Sequence, residues 1–438
     1  MVTVSIAALL ASAAFEPIGI WYLAILGFAL FFQKLRKAER PVLQSLVFGF
    51  ILNAIVLHWS SKYVGALPWL FLASLQSLFY LPIGWIFSKT QSIWLSALTF
   101  LLMEELRARV PFGGFGWTRI AFSQVDSPAL PIVSLGGVLA LSAITLSISA
   151  LLTKASAKNF AAILFLFVAV NLIPNNPQGS GSVRLLAVQG NTPSVGLDYN
   201  SRAKAVFNLH RDATRKFATS NYDAIVWPEN AIDIDPRQYP EVQTDLKSLT
   251  KDLQAPLISG VVQQRNGRPE NASIMYSEGG LSQSVYVKRA LTPFGEYIPL
   301  RKIAELVSSK AKGVNDFLAG TERVTHKIAD ANIGPIICYE LIHDDLVRDM
   351  ALNSQALIVQ TNSATFANTA ESAQQLAITR IRAVEHARYI LSVSTIGISA
   401  FIDNNGRVLS QTSENVESFL VGELKLNSRK TFIDRLLG

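Results

Sequence analysis

Asn171-Leu-Ile-Pro-Asn-Asn-Pro-Gln-Gly-Ser-Gly-Ser182 runs straight into Val183-Arg-Leu-Leu-Ala-Val188, and that junction decides the fold. Two prolines, two glycines and three asparagines within it interrupt any regular element and mark a boundary. The two sides differ in charge. Residues 1–173 hold 11 Lys/Arg and 5 Asp/Glu, whereas residues 174–438 hold 28 and 27. Over the whole chain half the residues are hydrophobic and only 16% are charged, against about 25% charged in ordinary soluble domains. So much apolar surface excludes a disordered chain. The net charge of +7 comes mainly from basic residues between oily runs. That suits membrane topology signals, and it argues against nucleic acid, which would need a basic face on the water-soluble part.

Before the junction, apolar runs occupy roughly 3–15, 18–33, 42–59, 66–88, 91–106, 131–153 and 159–174. A span needs about 20 apolar residues, so seven spans are predicted, the first short. No basic residue precedes the first run and further runs follow it, which argues against a cleavable leader. Lys34, Arg36, Lys37 and Arg40, then Lys89, then Lys154 and Lys158 fall in loops on one side of such a bundle, the cytoplasmic side. The chain beyond about residue 175 is then extracytoplasmic. Arg107, Arg109 and Arg119 break the pattern. They flank Pro111-Phe-Gly-Gly-Phe-Gly-Trp117, which reads equally as an interfacial or re-entrant loop and as a plain solvent loop.

After the junction, strands and helices mix, as in an α/β sheet domain. Strands are predicted at Val183–Val188, Ala224–Trp227, Pro256–Gln263, around Ile274–Tyr276 and Ser284–Val287, at Ile333–Ile337 and Ala356–Gln360, near Leu391–Ile402 and at Val408–Gln411. Helices are predicted at Ser201–Ser220, Glu241–Leu253, Asp344–Asn353 and Glu371–Tyr389. In such sheets function sits where strands end. Three segments place a reactive group there: Ala224-Ile-Val-Trp-Pro-Glu229, Tyr286-Val-Lys288, and Ile333-Gly-Pro-Ile-Ile-Cys338-Tyr339-Glu340. Alone, each has a bland reading: a helix cap, a solvated lysine, an inert buried thiol. Together they supply a base, a cation and a nucleophile. A thiol is only a few per cent thiolate at neutral pH and needs such neighbours. With a single cysteine there is no internal disulfide, and the histidines at 58, 210, 326, 343 and 386 lack metal-ligand spacing, so neither metal nor cofactor is expected.

Trp227-Pro-Glu-Asn230, the run Tyr286–Leu300 (YVKRALTPFGEYIPL) and Ile337-Cys-Tyr-Glu340 resemble the nitrilase superfamily in their order Glu, Lys, Cys. Joined to an oily front half, with Phe15-Glu-Pro-Ile-Gly-Ile-Trp21, the Phe112–Trp117 loop, Arg380-Ile-Arg-Ala-Val-Glu-His-Ala387 and Gly397-Ile-Ser399, the chain resembles the apolipoprotein N-acyltransferases. The resemblance implies a multi-span α-helical membrane domain (1–174), a linker (175–182), and an extracytoplasmic nitrilase-like αββα domain (183–427). It places the enzyme in the bacterial cell membrane, expected as a monomer. It implies ping-pong acyl transfer from a membrane phospholipid to the α-amine of a diacylglyceryl-cysteine apolipoprotein. Cys338 would carry the thioester and Glu229 would act as general base and acid. Lys288 would hold the oxyanion with the main-chain N–H after Cys338. Glu296, Tyr339 and Glu340 would support the pocket. Thr361-Asn-Ser-Ala-Thr-Phe366 and Ser392-Val-Ser-Thr-Ile-Gly397 depart from many members and resemble the actinobacterial branch. The family closes with a further membrane helix, and residues 428–438 are too short and polar to form one; activity is expected without it.

Two other readings compete. A membrane-tethered nitrilase-type amidase would share the three residues but pass its acyl group to water. A transporter or scaffold would need more intramembrane charge than the front half offers. Within Arg301–Gly320 an amphipathic stretch reads equally as a membrane-lying lid and as a packed surface helix.

Overall fold

Long apolar runs form helices, and the front of the chain follows that rule in a computed structural model. The structure describes residues 1–195, 203–219, 221–277, 279–302 and 315–438. Helices Val2–Ser12, Tyr22–Leu35, Pro41–Val56, Ala66–Leu78, Leu81–Thr90, Ile93–Arg107, Val133–Leu152 and Ala157–Asn171 lie on the apolar runs. Ala66–Thr90 and Leu130–Leu152 are long and apolar enough to cross a membrane; the others are shorter. The Ala157–Asn171 helix leaves Phe160, Leu164, Phe165 and Phe167 exposed, an outer surface suited to an apolar solvent rather than water.

These helices form one unit, Met1–Asn176, with Thr369–Glu385 and Thr431–Leu437 added from far along the chain. The helix Glu371–Glu385 shows why that segment belongs there. Gln374 spends its whole amide inside the unit. Its Oε1 accepts from the indoles of Trp59 (3.1 Å) and Trp117 (2.7 Å), and its Nε2 donates to the carbonyls of Glu16 (3.0 Å) and Val56 (3.1 Å). Glu385 pairs with Arg382 and accepts the Val138 N–H at a break in the Val133–Leu152 helix. There Gly137 has φ +65°, and a Cβ would sit 2.9 Å from the Glu385 carboxylate, so glycine is required at that turn. The Phe112–Trp117 loop ends on a buried Trp117. Arg107 and Arg119 are also buried. Arg107 donates to Thr118 Oγ1 and the Thr118 carbonyl and lies 3.5 Å from Glu104, while Arg119 pairs with Glu105. Two of the three arginines that disturbed the charge pattern are therefore neutralised internally and are not loop charges.

The second unit takes Pro177–Asn368 and His386–Lys430, with Gly438. Its strands are β1 (Ser182–Gln189), β2 (Ala224–Val226), β3 (Leu257–Arg265), β4 (Arg268–Tyr276), β5 (Ser282–Val287), β6 (His326–Ile328), β7 (Ala331–Ile337), β8 (Ala356–Thr361), β9 (Ile390–Ser394), β10 (Ala400–Ile402), β11 (Val408–Gln411) and β12 (Ser418–Lys425). They form two six-stranded sheets, ordered β12-β1-β2-β3-β4-β5 and β11-β10-β9-β8-β7-β6. In each, three central strands run parallel and the flanking pairs are antiparallel. Side chains alternate between faces. Leu185 and Ala187 of β1 and Ala224 and Val226 of β2 join Ile333, Ile358, Leu391 and Phe401 of the other sheet in one core. Leu186, Val188, Ile225 and Trp227 face the other way, onto Phe207 of helix Ala205–Phe217 and Val242, Leu246 and Leu249 of helix Pro240–Leu253.

Several elements differ from the sequence reading. The run near Leu391–Ile402 is two strands, β9 and β10. β6 and β12 were not anticipated: β6 has three residues, and β12 alternates half-buried with exposed residues over most of its length. The helix expected over Glu371–Tyr389 stops at Glu385, and that expected over Ser201–Ser220 spans Ala205–Phe217. Most of the amphipathic Arg301–Gly320 stretch, residues 303–314, lies outside the described residues.

Candidate active site

β2 ends at Val226, and the next three residues carry the first carboxylate out of the sheet. Trp227 N–H donates to the Ile258 carbonyl (2.8 Å), and Gly260 N–H donates to the Pro228 carbonyl (3.1 Å). A Cβ on Gly260 would come within 2.5 Å of the Glu229 Cα, so only glycine lets β3 lie against this turn. The turn brings Glu229 into the protein, where it is 4% exposed.

β5 runs in the direction of β2 and β3, because two antiparallel pairings separate it from β3. Its end therefore lies at the same sheet edge, and Lys288 follows it there, 1% exposed. Lys288 Nζ lies 3.2 Å from Glu229 Oε1, 2.9 Å from Glu296 Oε2 and 3.4 Å from Thr292 Oγ1. Burial works to lower the Lys288 pKa, but the charges of Glu229, Glu296 and Cys338 and the hydrogen bond to Glu296 outweigh it, and the pKa stands above the ordinary lysine value. The ammonium is thus held charged where isolation would have discharged it. Burial raises the Glu229 pKa, the neighbouring Glu296 adds to that, and Lys288 opposes both. A carboxylate pulled upward in this way is a better proton acceptor near neutral pH.

β7 ends at Ile337, and Cys338 turns sharply with φ +48° before a short 3-10 turn, Cys338–Ile342. A non-glycine residue there is strained, and the strain presents the thiol at a strand-to-helix corner, as nucleophile elbows do. The thiol is part-exposed while its strand is buried. Glu340 fixes this corner to the lysine. Its Oε2 accepts the Ile337 N–H (2.8 Å), and its Oε1 accepts the Tyr286 hydroxyl (2.8 Å) and the N–H groups of Arg289 (2.6 Å) and Ala290 (3.3 Å). One fully buried carboxylate therefore ties the residues before Cys338 to those around Lys288. Glu340→Ala should destabilise the folded state by about 3 kcal/mol, because buried donors lose their acceptor. Thermal unfolding of the detergent-solubilised protein checks this.

The structure brings Glu229, Lys288 and Glu296 into one ion-paired cluster, Glu340 accepts from the Tyr286 hydroxyl and the Arg289 N–H on either side of Lys288, and Cys338 is among the groups that raise the Lys288 pKa. Tyr339 is buried and packs edge-on against His343 at 5.0 Å, beside the thiol in sequence. Sequence reasoning missed Asn271, in β4, whose Nδ2 donates to Glu229 Oε1 (2.7 Å) and Glu296 Oε1 (2.8 Å). It also missed Thr292, whose N–H donates to Glu296 Oε2 (2.7 Å). An asparagine as the fourth residue of a strand with a polar start carries no recognisable signal. Among the described residues no group of three or more His, Cys, Asp or Glu is placed to hold a metal ion.

Comparison with known proteins gives this geometry its family. Residues 7–151 match the apolipoprotein N-acyltransferase N-terminal domain, and residues 185–433 match the carbon-nitrogen hydrolase family. An apolipoprotein N-acyltransferase of Mycolicibacterium smegmatis is 30% identical over 95% of this chain and 78% of its own length. The chain belongs to the apolipoprotein N-acyltransferase family. Another member, from Pseudomonas syringae pv. tomato, is 26% identical over 95% of this chain and 88% of its own. Among solved structures, a CN-hydrolase superfamily protein from Xanthomonas campestris covers 56% of this chain and 91% of its own, at 18% identity and TM-score 0.43. In this chain the carbon-nitrogen hydrolase match follows the match to the N-terminal domain.

Proposed function

We propose that this site N-acylates apolipoproteins through a thioester on Cys338. Glu229 takes the thiol proton, and the sulfur attacks the ester carbonyl of a phospholipid acyl chain. Negative charge gathers on the carbonyl oxygen, where the Lys288 ammonium and the N–H after Cys338 receive it. The C–O bond to the glycerol oxygen breaks, Glu229 returns the proton to that oxygen, and a lysophospholipid leaves. The α-amine of a diacylglyceryl-cysteine apolipoprotein then attacks the thioester. Its proton passes to Glu229, the C–S bond breaks, and the thiolate regains a proton. Glu296 and Glu340 hold Lys288 and the elbow, and Tyr339 shapes the pocket beside the sulfur. The observation that carries the reading is a buried lysine bracketed by two buried carboxylates, with a cysteine on a strained turn that Glu340 ties to the main chain beside that lysine.

In this reading residues 1–174 are a seven-span membrane domain, 175–182 a linker and 183–427 the nitrilase-like domain of a monomer, outside the cytoplasm of a bacterial cell. The apolar exposed face of Ala157–Asn171 supports it, and with Arg107 and Arg119 paired internally the outer side keeps Lys62 and Arg109 against seven Lys/Arg in the loops of the cytoplasmic side. Two lipid substrates also explain why the thiol is tethered to a bilayer. The rival is hydrolysis, and the acceptor separates the two. Given both water and an amine-bearing diacylated lipopeptide, the acyl-enzyme should discharge at least about 10²-fold faster to the amine. Release of free fatty acid at an unchanged rate when the lipopeptide is added would identify an amidase-type hydrolase instead.

A further inference from the structure

The catalytic reading leaves one buried group at the centre of the site without a role. Asn271 is 1% exposed and sits in β4 between the two carboxylates that flank Lys288. Its single NH2 group is spent on both of them, at 2.7 Å to Glu229 Oε1 and 2.8 Å to Glu296 Oε1. Its own Oδ1 is buried without a hydrogen-bond partner among the described residues. An amide with both hydrogens committed and its oxygen orphaned is oriented by its acceptors, since the flipped amide would set an oxygen against two carboxylates. Its main-chain carbonyl accepts the Lys288 N–H (2.8 Å), so the same residue also fixes the lysine backbone.

The consequence lies in the two oxygens of Glu229. Oε1 accepts from Asn271 and from Lys288, and no protein donor among the described residues reaches Oε2. Resting on the catalytic reading above, we propose that Asn271 is a positioning residue that saturates Glu229 Oε1, so that Oε2 is the oxygen that receives the Cys338 proton. Asn271 also lets two carboxylates share one ammonium without either taking up a proton. A hydrogen bond from a neutral amide stabilises the ionised carboxylate. Without it the Glu229 pKa rises, and the base is available only at higher pH.

The test uses the full chain in detergent with a labelled phospholipid, following the acyl adduct on Cys338 by mass spectrometry from pH 5 to 9. Asn271→Ala should slow adduct formation at neutral pH by about 10²-fold and move the acid limb of its pH profile to higher pH, so that raising the pH recovers rate. Asn271→Asp should be slow throughout, because ionising the new carboxyl puts a third negative charge beside Glu229. Asn271→Ser, which keeps one donor, should fall between wild type and Asn271→Ala. Should a variant fold poorly, the pH dependence of Cys338 alkylation by iodoacetamide in Asn271→Ser reads the same shift without turnover. A slower rate with an unmoved acid limb, or an Asn271→Ser alkylation profile identical to wild type, overturns the proposal by showing a merely structural residue. Absence of the adduct in the wild-type chain would instead sink the catalytic reading itself.

Discussion

Replacing Cys338 with alanine will abolish acyl transfer, with a loss of roughly 10⁴-fold or more, and will leave phospholipid binding in place. The chain has one cysteine, so no second thiol can substitute. In a covalent mechanism the nucleophile works as a unit with its base, and removing it leaves only binding and oxyanion stabilisation. Because the side chain is part-exposed and sits at the end of a buried strand, the change removes a sulfur atom without opening the core. Alanine must still adopt φ near +48°, as cysteine already does, so the fold should survive. The measurement is transfer of a labelled acyl chain to a diacylated lipopeptide, alongside lipid binding. Persisting transfer would mean that the chemistry lies elsewhere.

Lys288→Met should cost roughly 10³-fold in the same assay, and for more than one reason. Methionine fills most of the volume of the lysine stem but removes the ammonium that receives the oxyanion. It also strips the counter-charge from two buried carboxylates held together by Asn271. Like charges so close cannot both stay ionised in a dry site, so a proton is taken up and the base is compromised. Glu229→Gln should be comparably inactive, yet it leaves Lys288 paired with Glu296 and so should be the better folded of the two. Near-normal turnover in either variant would refute the role given to that residue.

How much of this was legible before the structure depends on the kind of signal each residue gives. Cys338, Lys288 and Glu229 each follow an apolar run, so strand periodicity alone places them at strand ends. The geometry adds what periodicity cannot, namely that β5 runs with β2 and β3, so that Lys288 and Glu229 meet at one edge. Asn271 was invisible because its importance comes from two carboxylates, Glu229 and Glu296, that lie 42 and 25 residues away in the chain and meet it only in the folded sheet. The helix Glu371–Glu385 was recognised as a helix, but its placement among the apolar N-terminal helices was not. Its partners, Trp59, Trp117, Phe122 and the Gly137 break, lie more than two hundred residues earlier. Arg107 and Arg119 misled the charge count for the same reason: a buried ion pair and a loop charge look alike in one dimension.

The central claim is a covalent acyl intermediate on one sulfur, and the most direct measurement is the intact and peptide mass of the purified chain after incubation with phospholipid alone. The account predicts a gain of one acyl chain, mapped to the peptide containing Cys338, removed by hydroxylamine or by a lipopeptide amine, and absent in Cys338→Ala. An unmodified Cys338 under conditions in which the lipopeptide is nevertheless acylated would contradict it.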